Sequence, residues 1–298
     1  MNIKGTRKGF AALCLLCLIY ATGALVVRAE GGVRLRLLAG RLTVVPVYLN
    51  GEGPFDFLLD TGTSSTVVSP ALAARLKLRP SDSVTLITVA GQRDVPRTRL
   101  GRVEVGGRAA ADVEALVSGL EPLSDLDPRL SGVLGQNFLE RFNYTLDYDG
   151  RTVEFETDAE PPAGERVPFA VEEGKLVVGA VCDAPAPCAL RLVLDAAATG
   201  LVIFDDARRG LARILSPHAA ALMLTEAGGV EARLARLPAL RVGDSRLRDV
   251  PVALLPDPAR RDARTEDGLL PTSLFRAVYF NHAAGYVIFN PKPARGRE

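Results

Sequence analysis

Residues 55–69 read FDFLLDTGTSSTVVS. An apolar run, Phe57-Leu58-Leu59, stops at Asp60, Thr61 and Gly62, and hydroxyl residues then lead into a second apolar segment. A short apolar run bounded by a turn signal predicts a buried strand. Asp60 therefore stands at the tip of a segment that otherwise reads as core, and its presence there asks for a reason.

The neighbourhood of this stretch recurs. AGRLTVVPVYLNGEGPFDFLLDTGTSSTVVS begins at Ala39, and EGKLVVGAVCDAPAPCALRLVLDAAATGLVIF begins at Glu173. Both open Gly-basic-Leu, at Gly40-Arg41-Leu42 and Gly174-Lys175-Leu176, and both reach an apolar triplet and an aspartate, Asp60 and Asp195. Residues 100–117 (LGRVEVGGRAAADVEALV) match 237–255 (LPALRVGDSRLRDVPVALL), and 131–155 match 267–289. Asp60 and Gly132 lie 72 residues apart, and Asp195 and Gly268 lie 73 apart. Matched order and spacing argue for an internal duplication, and two copies are too few for a solenoid.

Within a copy the pattern is one of short strands, at 42–49, 55–60, 84–90, 100–106, 113–117 and 152–156. Asn50-Gly51, Gly106-Gly107 and Asp149-Gly150 mark turns between them. Short helices are expected at 70–76 and 137–141. This is an all-β pattern with closed or sandwiched sheets. The copies span 33–157 and 167–293, and the polar, Pro-rich 158–166 is the linker between them.

Residues 1–29 stand apart from the fold. A basic stretch with Lys4, Arg7 and Lys8 precedes the apolar run 10–27, and Val27-Arg28-Ala29 offers small residues for signal cleavage. The run also approaches bilayer-spanning length, so an uncleaved anchor is the alternative. Either outcome places the remaining chain outside the cytoplasm, in the periplasm or beyond. There, Cys182 and Cys188, which flank a Pro-rich turn between two alternating runs, are expected to form a disulfide across a hairpin.

The remaining composition excludes other classes. Net charge is +1, so no nucleic-acid partner is implied. The two histidines, His218 and His282, lack companions at ligand spacing, so no metal is expected.

Taken together, Asp60-Thr61-Gly62-Thr63 after an apolar strand, and Gly132-Val133-Leu134-Gly135 some seventy residues on, resemble the aspartic proteases of the pepsin and retroviral type. The hairpin LITVAGQRDV lies where that family keeps its flap, with Ala90 and Gly91 at the tip, although no tyrosine stands near it. The resemblance implies two acid-protease β-barrel lobes in tandem, and an endopeptidase with no cofactor. Its catalytic carboxylate would be Asp60, supported by Thr61, Gly62 and Thr63. The threonine would brace the facing loop, and Thr63 would bond the outer carboxylate oxygen. The substrate would be a peptide or protein held in extended form. Two such carboxyls in close contact share one proton and titrate as a pair.

The second copy departs from this pattern. It reads Asp195-Ala196-Ala197-Ala198, and Gly268-Leu269-Leu270-Pro271 replaces the later element. Ala196 has no hydroxyl for the brace. Ala197 occupies a glycine position and is expected to be strained if that position needs positive φ. Three arrangements follow. Asp195 completes an unusual dyad in the same chain; or Asp60 pairs with Asp60 of a second chain, in a homodimer through the first lobe; or the protein is a pseudoprotease that binds extended peptides without cutting them.

Overall fold

The strands that carry Asp60 and Asp195 each belong to a closed ring of six. The structure, a computed structural model, describes residues 32–38, 41–88, 91–121, 123–156, 160–183, 188–205, 215, 218–225, 228–256 and 265–292. The first copy contains β1 (Val33–Arg34), β2 (Arg36–Leu38), β3 (Leu42–Leu49), β4 (Glu52–Leu59), β5 (Thr66–Val68), α1 (Pro70–Arg75), β6 (Asp82–Thr88) and β7 (Gly91–Val105). It continues through β8 (Arg108–Val117), α2 (Leu123–Leu126), β9 (Leu130–Leu134), α3 (Gln136–Leu139), β10 (Tyr144–Asp147) and β11 (Thr152–Phe155). The second contains β12 (Val167–Glu172), β13 (Lys175–Asp183), β14 (Cys188–Asp195), β15 (Leu201–Asp205), β16 (Ala219–Thr225), β17 (Gly228–Val242) and β18 (Ser245–Pro256). It ends with β19 (Gly268–Pro271), a 3-10 turn (Thr272–Leu274), β20 (Ala277–Asn281) and β21 (Tyr286–Phe289). Residues 1–29, Ala90, residues 158 and 159 of the linker and residue 293 lie outside the described residues.

In the first lobe the ring runs β3-β4-β9-β5-β8-β7 and closes through β3 and β7. In the second it runs β13-β14-β19-β15-β18-β17 and closes through β13 and β17. The registers coincide. β4 runs parallel to β9 with Phe57 beside Gly132, and β14 runs parallel to β19 with Leu192 beside Gly268. Strands of this kind are covered on both faces, which is why their sequences are continuous apolar runs rather than alternations. Phe57, Leu58 and Leu59 are all buried, as are Leu192, Val193 and Leu194. Gly132 and Gly268 are kept because a side chain there would meet the carbonyl oxygen of Val67 or Val202 on the neighbouring strand.

The hairpin leading to each aspartate is held by a different device. In the first lobe Asn50 and Gly51 take positive φ, 52° and 86°, and make a tight turn. In the second, Cys182 and Cys188 face each other across β13 and β14 with Cα atoms 5.1 Å apart, within disulfide range, and are joined.

A second sheet, β1-β11-β10-β20-β21-β12, joins the lobes into one compact unit, Gly31–Glu298. At its seam β10 and β20 run antiparallel, with Thr145 opposite Tyr279, and the rings of Tyr144 and Phe280 stack at 4.7 Å. The helices begin and end close to expectation. α1 starts with Pro70 after Ser69, whose hydroxyl accepts the Leu72 N–H at 3.2 Å. α3 is shorter than expected and ends at Leu139.

One ionic cluster ties the edge of the first barrel. Arg36 on β2 reaches Asp56 at 2.6 Å and Asp127 at 2.5 Å, and Arg129 closes on Asp127 at 2.9 Å. The Arg129 and Arg36 hydrogen bonds hold the buried Asp127 carboxyl well below the ordinary carboxylate range. Its contribution is therefore complete above the unfolded value, about pH 4, and is lost as pH falls through the folded one. Asp127→Asn is expected to lower the urea midpoint at about pH 6, and the gap from wild type is expected to narrow progressively as pH falls below about 4.

Candidate active site

The ends of β4 and β14 bring Asp60 and Asp195 together in one chain. The two side chains share a hydrogen bond, and they are 9% and 8% exposed. Asp60 Oδ1 accepts the Gly62 N–H at 2.7 Å. Asp195 Oδ1 accepts the N–H groups of Ala197 and Ala198, each at 2.8 Å. Burial pushes the Asp195 carboxyl up from its ordinary value, against the opposing pull of those two N–H groups and of Asp60. A hydrogen bond between two carboxyls requires a proton on one of them, so the pair titrates as a unit.

Thr61 fixes this meeting. It is fully buried, donates its hydroxyl to the Leu194 carbonyl at 2.8 Å and accepts the Ala196 N–H at 2.9 Å. One threonine thus grips the Asp195 loop from both sides, while Ala196 at the matching position has no hydroxyl with which to return the grip. Gly62 is needed for space. A Cβ there would lie 2.7 Å from the Asp195 Cγ. The strain expected of Ala197 does not arise, because neither Gly62 nor Ala197 has positive φ. The Ala197 methyl packs instead against the cluster of Val44, Leu58, Val67 and Val133 in the first lobe.

Further residues, not singled out in the sequence, lash the first loop. The Gln136 amide donates to the Thr61 carbonyl at 3.1 Å, and the backbone N–H of Gln136 bonds the Thr63 carbonyl at 2.9 Å. Asn137 Oδ1 accepts from both the N–H and the hydroxyl of Thr66, at 3.0 and 2.8 Å. Gly135 faces the Ser65 backbone, where a Cβ would come within 2.5 Å of the Ser65 carbonyl. The signal was legible in part, as two amide residues directly after a glycine in an apolar stretch. The register puts Pro271, Thr272 and Ser273 at the places of Gly135, Gln136 and Asn137, and Gly200 at the place of Ser65. Among the described residues no bond from Thr272 or Ser273 to the Asp195 loop corresponds to these.

Each lobe also presents a long hairpin. Gly91 opens β7 and pairs with Thr88; Gly228 opens β17 and pairs with Thr225. The sequences between match as Thr-Val-Ala-Gly and Thr-Glu-Ala-Gly. The second hairpin escaped the sequence reading because its flanking residues differ. Each rests on its own small apolar cluster, which contains Val95 and Val67 in one lobe and the corresponding Ala232 and Val202 in the other.

Arg41 reaches across to the Thr199 carbonyl in the Asp195 loop at 2.7 Å. Gly174 abuts Ser64 of the Asp60 loop, so the repeated Gly-basic-Leu segments each lean on the opposite lobe. His282 is packed against the rings of Tyr144, Phe169 and Phe280, and burial lowers its imidazole to about 4. Among the described residues no three His, Cys, Asp or Glu side chains gather where a metal ion could be held.

The family model described as aspartyl protease matches the chain twice, over residues 45–138 and 178–274. No curated protein matches it.

Removing the Thr61 hydroxyl leaves a buried carbonyl and a buried N–H without partners. Thr61→Val is therefore expected to cost about 2–4 kcal/mol of unfolding free energy in urea, and Thr61→Ser well under half of that.

Proposed function

The chain belongs to the aspartyl protease family, and on that basis we propose that it is an aspartic endopeptidase whose dyad is Asp60 and Asp195 of a single chain. The observation that carries this is the buried hydrogen-bonded pair, formed by loops that occupy the same register in two barrels. A peptide lies extended between the two hairpins. A water held between the carboxyls loses a proton to the ionised member, and its oxygen attacks the scissile carbonyl carbon. The other carboxyl gives its proton to the carbonyl oxygen. The tetrahedral diol then collapses with a proton passing to the amide nitrogen, and the C–N bond breaks without a covalent enzyme intermediate.

Burial raises the Asp195 carboxyl, and the buried pair shares one proton between its two members. Activity is accordingly present while that proton is held and declines as pH rises through its value. The pairing of Asp60 with Asp195 supports a monomeric active site over a dimer of first lobes. The joined cysteines and the apolar N-terminal segment support export, in a periplasmic or secreted form or held by an uncleaved anchor. Among the described residues no helix is long and apolar enough to cross a membrane.

The sequence Ala196-Ala197-Ala198 favours a second reading, a pseudoprotease that holds extended peptides. Residues 30–298, incubated with a peptide library from about pH 3 to 7, decide between them. Asp60→Asn and Asp195→Asn are each expected to lower cleavage about 100-fold or more. Loss only in Asp60→Asn would remove Asp195 from the dyad. Peptides retained but never cut, by folded protein at every pH, would establish the binder.

A further inference from the structure

The loop that carries Asp195 has lost its own supports, and the first lobe supplies replacements. Tyr148, in the turn between β10 and β11, is the least expected of them. Its backbone N–H donates to the Arg276 carbonyl of the second lobe at 2.9 Å. Its phenol shares a hydrogen bond with the Thr272 hydroxyl. Thr272 is fully buried and directly follows Pro271, which is the register partner of Asp195 on the parallel strand. At the matching place in the first lobe, Gln136 reaches the carbonyl after Asp60 by itself. Thr272 is too short for that reach, and the tyrosine from the other lobe engages it instead.

We propose that Tyr148 is a positioning residue for Asp195, acting through the Thr272 hydroxyl to hold the strand end that sets the second carboxyl against Asp60. This rests on the dyad reading above, and it assigns the first lobe a direct part in placing the second carboxylate. The titratable groups that bear on Asp195 are Asp60, which shares its hydrogen bond, and Tyr148, whose phenol burial keeps neutral.

The test combines kinetics with a readout that needs no turnover. Tyr148→Phe and Thr272→Val each remove the bond with little change of shape, and Thr272→Ser keeps it. The first two are expected to lower kcat about ten-fold or more with KM within about two-fold, and the pair together no further than either alone. Thr272→Ser is expected to remain within about two-fold of wild type. In parallel, 13C-labelled aspartate reports the titration of Asp195, its signal assigned by loss in Asp195→Asn. The midpoint is expected to move in Tyr148→Phe and Thr272→Val and to stay in Thr272→Ser. Unmoved midpoints in folded variants would overturn the proposal, as would equal losses in Thr272→Ser. If the wild type cuts nothing yet the midpoints move, the protease reading falls and the positioning stands.

Discussion

The Thr61 hydroxyl bridges the two lobes at the point where their strands end. It donates to Leu194 and accepts from Ala196, so the residues on both sides of Asp195 are referred to a single buried oxygen of the first lobe. Everything that distinguishes the site from a surface acid follows from that constraint. The carboxyls can be brought within hydrogen-bonding reach only if neither loop drifts. Gly62 must lack a side chain because the Asp195 carboxylate occupies the space beside it. The seam of β10 and β20 supplies the same restraint at a second place, because a slip of one residue there would turn Tyr144 and Phe280 to the opposite face.

The duplication has decayed unevenly, and the pattern of loss is physical. Gly132 and Gly268 both persist, since backbone from the adjacent strand fills the space that a side chain would need. The close approach of Gly135 to Ser65 is not repeated: Pro271 stands in the place of Gly135, and a Cβ on Gly200, in the place of Ser65, would meet nothing within 4 Å. Hydroxyls and amides that lash the Asp60 loop are missing around Asp195, and Arg41, Thr61 and Tyr148 reach into the second lobe from the first. The intact lobe thus carries the geometry of both. Ala197 has turned its methyl to advantage by packing on the cluster beneath the first hairpin.

Burial gives this arrangement its chemistry. A carboxyl removed from water disfavours its charged form, and a second carboxyl in contact disfavours it further. Backbone N–H groups pull the other way, and Asp195 receives two of them on one oxygen. The balance leaves one proton on the pair, with apolar strands behind both acids to keep them from reorienting.

Much of this was legible in the chain alone. The closed β architecture, the duplication and the place of Asp60 follow from apolar runs of strand length, turn residues and matched spacing. These are local properties, and each residue type carries its own physical reason. The support of Asp195 was not legible. Ala196, Ala197 and Ala198 remove every side-chain cue from its loop, and backbone N–H groups leave no mark in a sequence. Gln136, Asn137, Thr272 and Tyr148 gain meaning only once parallel strands bring distant segments side by side. The sequence by itself determined two like barrels and one intact motif. Tertiary structure decided that the eroded copy still delivers its aspartate, because restraints on its loop come from Arg41, Thr61 and Tyr148 of the other lobe, which only the folded chain brings beside it.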